Sequence, residues 1–158
     1  MSTRRLAPAT FALALLVLAG SLAACTPGIS AVDHARKVID TRYRYGGASP
    51  SEGFDCSGLT SWAWNQAGVD EIPRTSRDQY AWSTRIERSD LQTGDLVFYS
   101  AGGPGGTVSH VALYAGEGKL IQAPNSDRRV EEVSLDEYWT SNLVGYGRIP
   151  ASAMPESS

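Results

Sequence analysis

Two side chains in this chain of 158 residues have the chemistry of a nucleophile and its base. One is Cys56, in Phe54-Asp55-Cys56-Ser57-Gly58-Leu59-Thr60; the other is His110, in Ser109-His110-Val111. Cys56 follows Asp55, a good helix N-cap, and precedes a run in which Leu59, Trp62, Ala63 and Ala67 recur at helical spacing. The sulfur is therefore expected in the first turn of a helix. There the unpaired backbone N–H groups and the helix dipole favour negative charge. A thiol so placed is expected to lose its proton more easily, and the thiolate is the nucleophile.

A thiol nucleophile needs a base within hydrogen-bond reach and a third group that holds the base in one tautomer. The chain has two histidines. His34 stands beside Asp33 in the polar part of an expected helix and reads as a surface residue. His110 follows a Gly-rich loop at the start of an expected strand, where an imidazole can face a cleft while Val111 and Leu113 fill out the strand. Gln122 lies on the strand paired with it across a tight hairpin, with Ile121 and Ala123 pointing to the opposite face. Its carbonyl oxygen can accept the imidazole N–H. From the residues alone, a solvent-facing Gln122 is an equal reading.

These groups must be held by a framework. Val32, Ala35, Val38 and Ile39 predict an amphipathic helix from Ala31 to about Tyr43. Gly46 to Ser51 reads as a loop, and the helix that starts at Cys56 is expected to stop at Gly68. Pro73-Arg74-Thr75-Ser76 reads as a turn, with Thr75 or Ser76 capping a short helix through Trp82. Leu96 to Tyr99 is an expected strand. Ala101 to Thr107 is a glycine-rich loop. Val108 to Ala115 and Lys119 to Ala123 form a hairpin across Gly116-Glu117-Gly118. Further strands are expected near Arg129 to Val133 and from Val144 to Ile149. Helices first and strands afterwards is an α+β layout, with N-terminal helices packed on one antiparallel sheet of about five to six strands.

Composition sets the boundaries. With 42% apolar and 20% charged residues the chain is an ordinary globular one, long enough for one domain with a real core. The N-terminus has the layout of a secretory signal: Arg4 and Arg5, a short apolar run from Phe11 to Leu18, then small residues up to Leu22-Ala23-Ala24-Cys25. That ending resembles a bacterial lipobox, which divides the chain into a leader (1–24), a lipidated tether (25–30) beginning at Cys25, a domain (31–150) and a disordered tail (151–158). An ordinary signal peptide cut at Ala-x-Ala is the alternative. With Cys25 lipidated, Cys56 is left without a disulfide partner. Loss of the leader removes two of the fourteen basic side chains and no acidic one, leaving a net charge of about −5. That balance argues against a nucleic-acid partner.

Six ordered stretches resemble the NlpC-type cell-wall cysteine peptidases, a compact branch of the papain-like superfamily. They are Tyr43-Arg44-Tyr45-Gly46-Gly47, Phe54 to Leu59, Pro73-Arg74-Thr75-Ser76, Gly94-Asp95-Leu96-Val97-Phe98, Ser109-His110-Val111 and Leu120-Ile121-Gln122-Ala123-Pro124. The resemblance implies a papain-like fold with Cys56 as nucleophile and His110 as base. The third catalytic residue, most often histidine in that family, falls on Gln122, which orients an imidazole but does not titrate. The family's substrate-side tyrosine falls on Tyr43, and Asp55, Ser57, Arg74 and Ser76 are implied to line the groove. For Arg74 and Ser76 a purely structural turn role stands beside that one.

The implied chemistry is attack by a Cys56 thiolate, paired with protonated His110, on an amide of a peptidoglycan stem peptide. The usual bond joins the γ-carboxyl of D-glutamate to a diamino acid. The Cys56 N–H is the expected oxyanion donor, and Arg74 an expected partner of a substrate carboxylate. No metal or cofactor is implied. The expected protein is a monomer in the bacterial cell envelope, outside the cytoplasm and tied to a membrane through Cys25. A non-catalytic wall-binding lipoprotein, or an amidase or acyltransferase on the same fold, are the competing readings.

Overall fold

The computed structural model describes residues 26–155. Helix α1 spans Pro27–Arg36, with Pro27 in its first turn, where a missing N–H costs nothing. It buries Ala31, Val32 and Ala35. It therefore begins inside the expected tether and ends before Tyr43. It stops because the chain turns toward a sheet edge: Asp40 takes φ +74°, its N–H donates to Val130 O, and the Val130 N–H returns to Thr41 O. Those backbone pairings outweigh continued helical periodicity. The segment expected as a loop closes a short hairpin, β1 (Ala48–Ser49) against β2 (Gly53–Phe54).

Helix α2, Cys56–Gln66, follows directly. Asp55 is its N-cap, the carboxylate accepting the Gly58 N–H at 2.7 Å, a contact type worth about 1 kcal/mol. Leu59 and Ala63 are fully buried, and Gly68 ends the turn at φ +89°. Gly58 has a different reason to be glycine. A Cβ there would meet Gly47 O at 2.0 Å, so the first turn of α2 lies backbone to backbone against the loop after Tyr43. Helix α3, Ser76–Trp82, is capped by Thr75, whose hydroxyl accepts the Asp78 N–H.

The sheet strands are β3 (Thr84–Ile86), β4 (Leu96–Tyr99), β5 (His110–Gly116), β6 (Lys119–Gln122), β7 (Glu131–Ser134) and β8 (Leu143–Arg148). They form one six-stranded sheet in the order β3-β8-β4-β5-β6-β7, every neighbouring pair antiparallel. Strand alternation sorts the apolar residues. Leu96, Phe98, Val111, Leu113 and Ile121 pack with α1 and α2, whereas Val97, Tyr99, Ala112 and Leu120 pack with Leu135 and Tyr146 on the other face. The α+β fold, with helices on an antiparallel sheet, is the expected one. Strand β3 went unforeseen because it is a short, exposed edge with an arginine at its centre.

Residues 151–154 depart from the loose tail expected. Ala151–Ala153 forms a 3-10 turn, and Met154 packs on the main core. The leader, Cys25 and residues 156–158 lie outside the described residues. Among the described residues no helix is long and apolar enough to cross a membrane.

Candidate active site

Asp55 is the fixed point of the site. Beyond capping α2, its carboxylate accepts the Gly46 N–H at 2.8 Å and a two-pronged contact from Arg74, Nη1 at 2.9 Å and Nη2 at 2.8 Å. Arg74 Nη1 also donates to the Ser57 hydroxyl at 3.1 Å, and Nη2 to Gly47 O at 3.4 Å. The Asp55 bond holds the Arg74 guanidinium firmly protonated. Arg74 is thus committed to Asp55, Ser57 and Gly47 rather than left open for a substrate carboxylate. Its role is to tie the turn before α3 to the start of α2.

Cys56 is a free, half-buried thiol at the first position of α2. Burial pushes its pKa up. The Val111 N–H opposes the rise, the Asp55 charge adds to it, and the Ser57 N–H and hydroxyl oppose it again; the net shift is upward. This reverses the sequence expectation of an easily ionised thiol. The helix start does direct N–H groups at the sulfur, but removing the sulfur from water outweighs them.

His110 opens β5 and is almost fully buried. The β5–β6 register pairs Leu113 with Ile121, which sets His110 and Gln122 on one face as diagonal neighbours. His110 Nε2 and Gln122 Oε1 are 2.8 Å apart. A carbonyl oxygen only accepts, so Nε2 carries the proton and Nδ1 presents a lone pair. Gln122 is fully buried, which removes the solvent-facing reading. Burial lowers the His110 pKa to about 4, against the opposing pull of the Gln122 bond. Burial thus favours the neutral form of both Cys56 and His110, against the expected thiolate–imidazolium pair.

Two clefts meet at Ser109. One, ≈ 420 Å³, is lined by Tyr43, Asp55, Cys56, Ser57, Arg74 and Ser76, so every residue expected to line the groove stands around the thiol. The other, ≈ 460 Å³, is lined by Ser109, His110, Asn125, Arg128, Tyr138 and Trp139. Ser109 lines both clefts, and the Val111 N–H beside Cys56 brings the start of β5, which carries His110, to the thiol-bearing end of α2. A third cavity, ≈ 510 Å³, lies at the foot of α1 near Pro27, Trp64 and Thr93 and touches none of the expected site residues. Among the described residues no His/Cys/Asp/Glu cluster has the makings of a metal site.

The NlpC/P60 family model matches residues 40–148, which span every one of these groups. The chain belongs to the NlpC/P60 family.

Murein DD-endopeptidase MepH of Escherichia coli (strain K12) is 42% identical over 122 residues, 75% of this chain and 45% of that protein. A gamma-DL-glutamyl hydrolase of Bacillus subtilis (strain 168) is 34% identical over 133 residues, 84% of this chain and 32% of that protein. The chain thus spans less than half the length of these two NlpC/P60 relatives. Among solved structures, an NlpC/P60 family protein from Bacillus cereus ATCC 10987 superposes with a TM-score of 0.74 at 32% identity, covering 78% of this chain and 41% of that one.

Within the NlpC/P60 frame, sequence reasoning missed the groups that surround the imidazole. The rings of Tyr99, Tyr138 and Trp139 lie 5.9, 5.8 and 6.2 Å from that of His110. Trp139 adopts φ +41°, a left-handed conformation unusual for an aromatic residue, and presents its ring at the mouth of the second cleft. Glu131 and Arg128 also went unremarked. The adjacent Tyr138-Trp139 pair between two strands was the available signal; nothing local marks Glu131.

Proposed function

We propose that this chain is a cysteine endopeptidase of peptidoglycan stem peptides, acting through Cys56, His110 and Gln122. The observation that supports the reading is the 2.8 Å bond from Gln122 to His110, which leaves the imidazole lone pair available at the start of β5, the strand whose Val111 N–H meets the free thiol. As the thiol attacks the scissile carbonyl, His110 Nδ1 takes its proton, so the nucleophile is generated during attack rather than stored. The tetrahedral oxyanion is met by the Cys56 N–H at the start of α2, with the Tyr43 hydroxyl on the same cleft wall. His110 then protonates the leaving amine, which departs on the Ser109–Trp139 side. Water activated by the same imidazole hydrolyses the thioester.

The bond we favour joins the γ-carboxyl of D-glutamate to a diamino acid, in line with the name of the Bacillus subtilis relative. The name of the Escherichia coli relative favours a second reading, a DD-bond in a cross-link. Incubation with two defined muropeptides, an uncross-linked stem and a cross-linked dimer, followed by mass analysis, separates them. Cleavage of the stem between glutamate and the diamino acid supports the first, and conversion of dimer to intact monomers the second. No product from either, or products undiminished in Cys56→Ala, overturns the enzyme reading in favour of a non-catalytic wall-binding protein. Products formed by cleavage outside the peptide, or by acyl exchange, identify an amidase or acyltransferase.

We further propose that the protein acts as a monomer in the bacterial cell envelope, held to a membrane by acyl chains on Cys25. Each group required lies within one chain, and the lipobox-like Leu22 to Cys25 supplies the anchor signal. Palmitate labelling of the expressed protein, lost in Cys25→Ala, tests the anchor. Sedimentation of a form without the leader tests the monomer.

A further inference from the structure

Glutamine has an ambiguity that histidine lacks. A half-turn about its last bond exchanges its carbonyl oxygen and its NH2 at almost no steric cost, and the two ends instruct an imidazole oppositely. Facing His110 with oxygen, Gln122 demands a proton on Nε2 and frees Nδ1. Facing it with NH2, it demands a lone pair on Nε2 and moves the proton to Nδ1, where it blocks uptake of another. A buried glutamine in this position therefore works only if something fixes its direction.

We propose that Glu131 is that device, a positioning residue that sets the tautomer of His110 through Gln122. The β6–β7 register places Glu131 directly opposite Gln122. Gln122 Nε2 donates to Glu131 Oε1 at 3.1 Å. The second oxygen, Oε2, accepts from Arg128 Nη2 at 2.5 Å, which sets the orientation of the carboxylate. An ionised carboxylate accepts and never donates, so only the NH2 end of Gln122 can face it. The oxygen is then forced toward His110, and the proton onto Nε2. The Tyr138 hydroxyl also meets Gln122 but both donates and accepts, so it tolerates either direction. Arg128 acts one step further out by holding Glu131. What the freed Nδ1 then does rests on the peptidase reading above; the tautomer itself does not.

The test reads the tautomer and the kinetics separately. In protein labelled with 15N-histidine only His34 and His110 report, and imidazole 15N–1H correlations at neutral pH distinguish Nε2–H from Nδ1–H. The unmutated protein is expected to hold His110 as Nε2–H; finding Nδ1–H there overturns the proposal without recourse to any variant. Glu131→Gln is nearly isosteric but accepts and donates, so an Nδ1–H population is expected to emerge, with kcat down about tenfold and KM within about twofold. Glu131→Asp, still acceptor-only, is expected to restore the Nε2–H form. An unchanged tautomer in Glu131→Gln overturns the proposal whatever happens to kcat, because a loss of rate alone is what a structural role would give. A tautomer that shifts in protein without hydrolase activity upholds the proposal and counts against the peptidase reading alone.

Discussion

Arg74 grips both carboxylate oxygens of Asp55, at 2.9 and 2.8 Å, while the same carboxylate caps the helix that carries Cys56. The two residues are nineteen positions apart in the chain, and their contact fixes the turn before α3 to the first turn of α2. Asp55→Ala is expected to cost about 2–4 kcal/mol, since it removes the cap, the Gly46 contact and the charged partner together. Arg74→Ala, which leaves the cap in place, is expected to cost less, about 1–2 kcal/mol. Urea denaturation of the two variants checks the order; an equal loss means the cap contributes nothing.

Cys56→Ala is expected to abolish turnover, by at least about a thousandfold, with a melting temperature close to that of the unmutated protein. The thiol sits at the edge of the core, and the contacts it receives from Val111 and Ser57 end on sulfur, a weak acceptor whose loss costs little. Muropeptide digestion and a thermal melt on the same preparation check both halves.

Gln122→Ala is expected to lower kcat roughly ten- to a hundredfold, because the imidazole loses the acceptor that sets its proton. Gln122→His, which supplies the residue that the family resemblance implies here, is expected to keep or raise kcat. Steady-state rates for both variants decide the matter, and unchanged turnover in Gln122→Ala would remove the orienting role.

His110 titrates at about 4 in the folded protein and near 6.5 when exposed in the unfolded chain. The unfolded state therefore binds the extra proton first as the pH falls. The stability that His110 contributes is full above about pH 6.5 and declines steadily down to about pH 4, by about 3 kcal/mol. Urea midpoints between pH 7.5 and 4.5 should show this slope, and His110→Gln should flatten it.

The same shift governs the rate. A base that is neutral above pH 4 places the acid limb of kcat/KM near pH 4 rather than near 6.5. Activity should rise as the pH rises through that value and then stay level, since the raised Cys56 pKa keeps thiolate formation on the alkaline side of the ordinary thiol range. A pH–rate profile with an acid limb near 6.5 would show that substrate-free burial does not set the reacting state.

The parts of this protein that repeat with a period were legible in its sequence. The alternation that sends Val111, Leu113 and Ile121 to one face also put Gln122 on the other, where His110 and solvent were equal readings. The N-cap at Asp55 and the stop at Gly68 were readable because each is a local solution to a local problem. Contacts between segments were not readable. The end of α1 at Arg36 depends on Val130, far along the chain, and the pairing of Arg74 with Asp55 used up a charge that seemed available for substrate. The thiol was misjudged for a related reason: a helix start is visible in four residues, whereas desolvation is the sum of everything that packs around the sulfur. Glu131 was invisible because only the β6–β7 register brings it to Gln122.

The seam between Gly58 and Gly47 has a consequence for what this cleft admits. No side chain intervenes there, so no rotamer change can relax the joint between the nucleophile's helix and the loop that bears Tyr43, Tyr45 and Gly46. The thiol-side cleft therefore has a fixed gauge, and a ligand must fit the gap as it stands. One methyl group added at Gly58 would pry the two walls apart and change which molecules enter, while leaving every reactive atom in its own residue untouched.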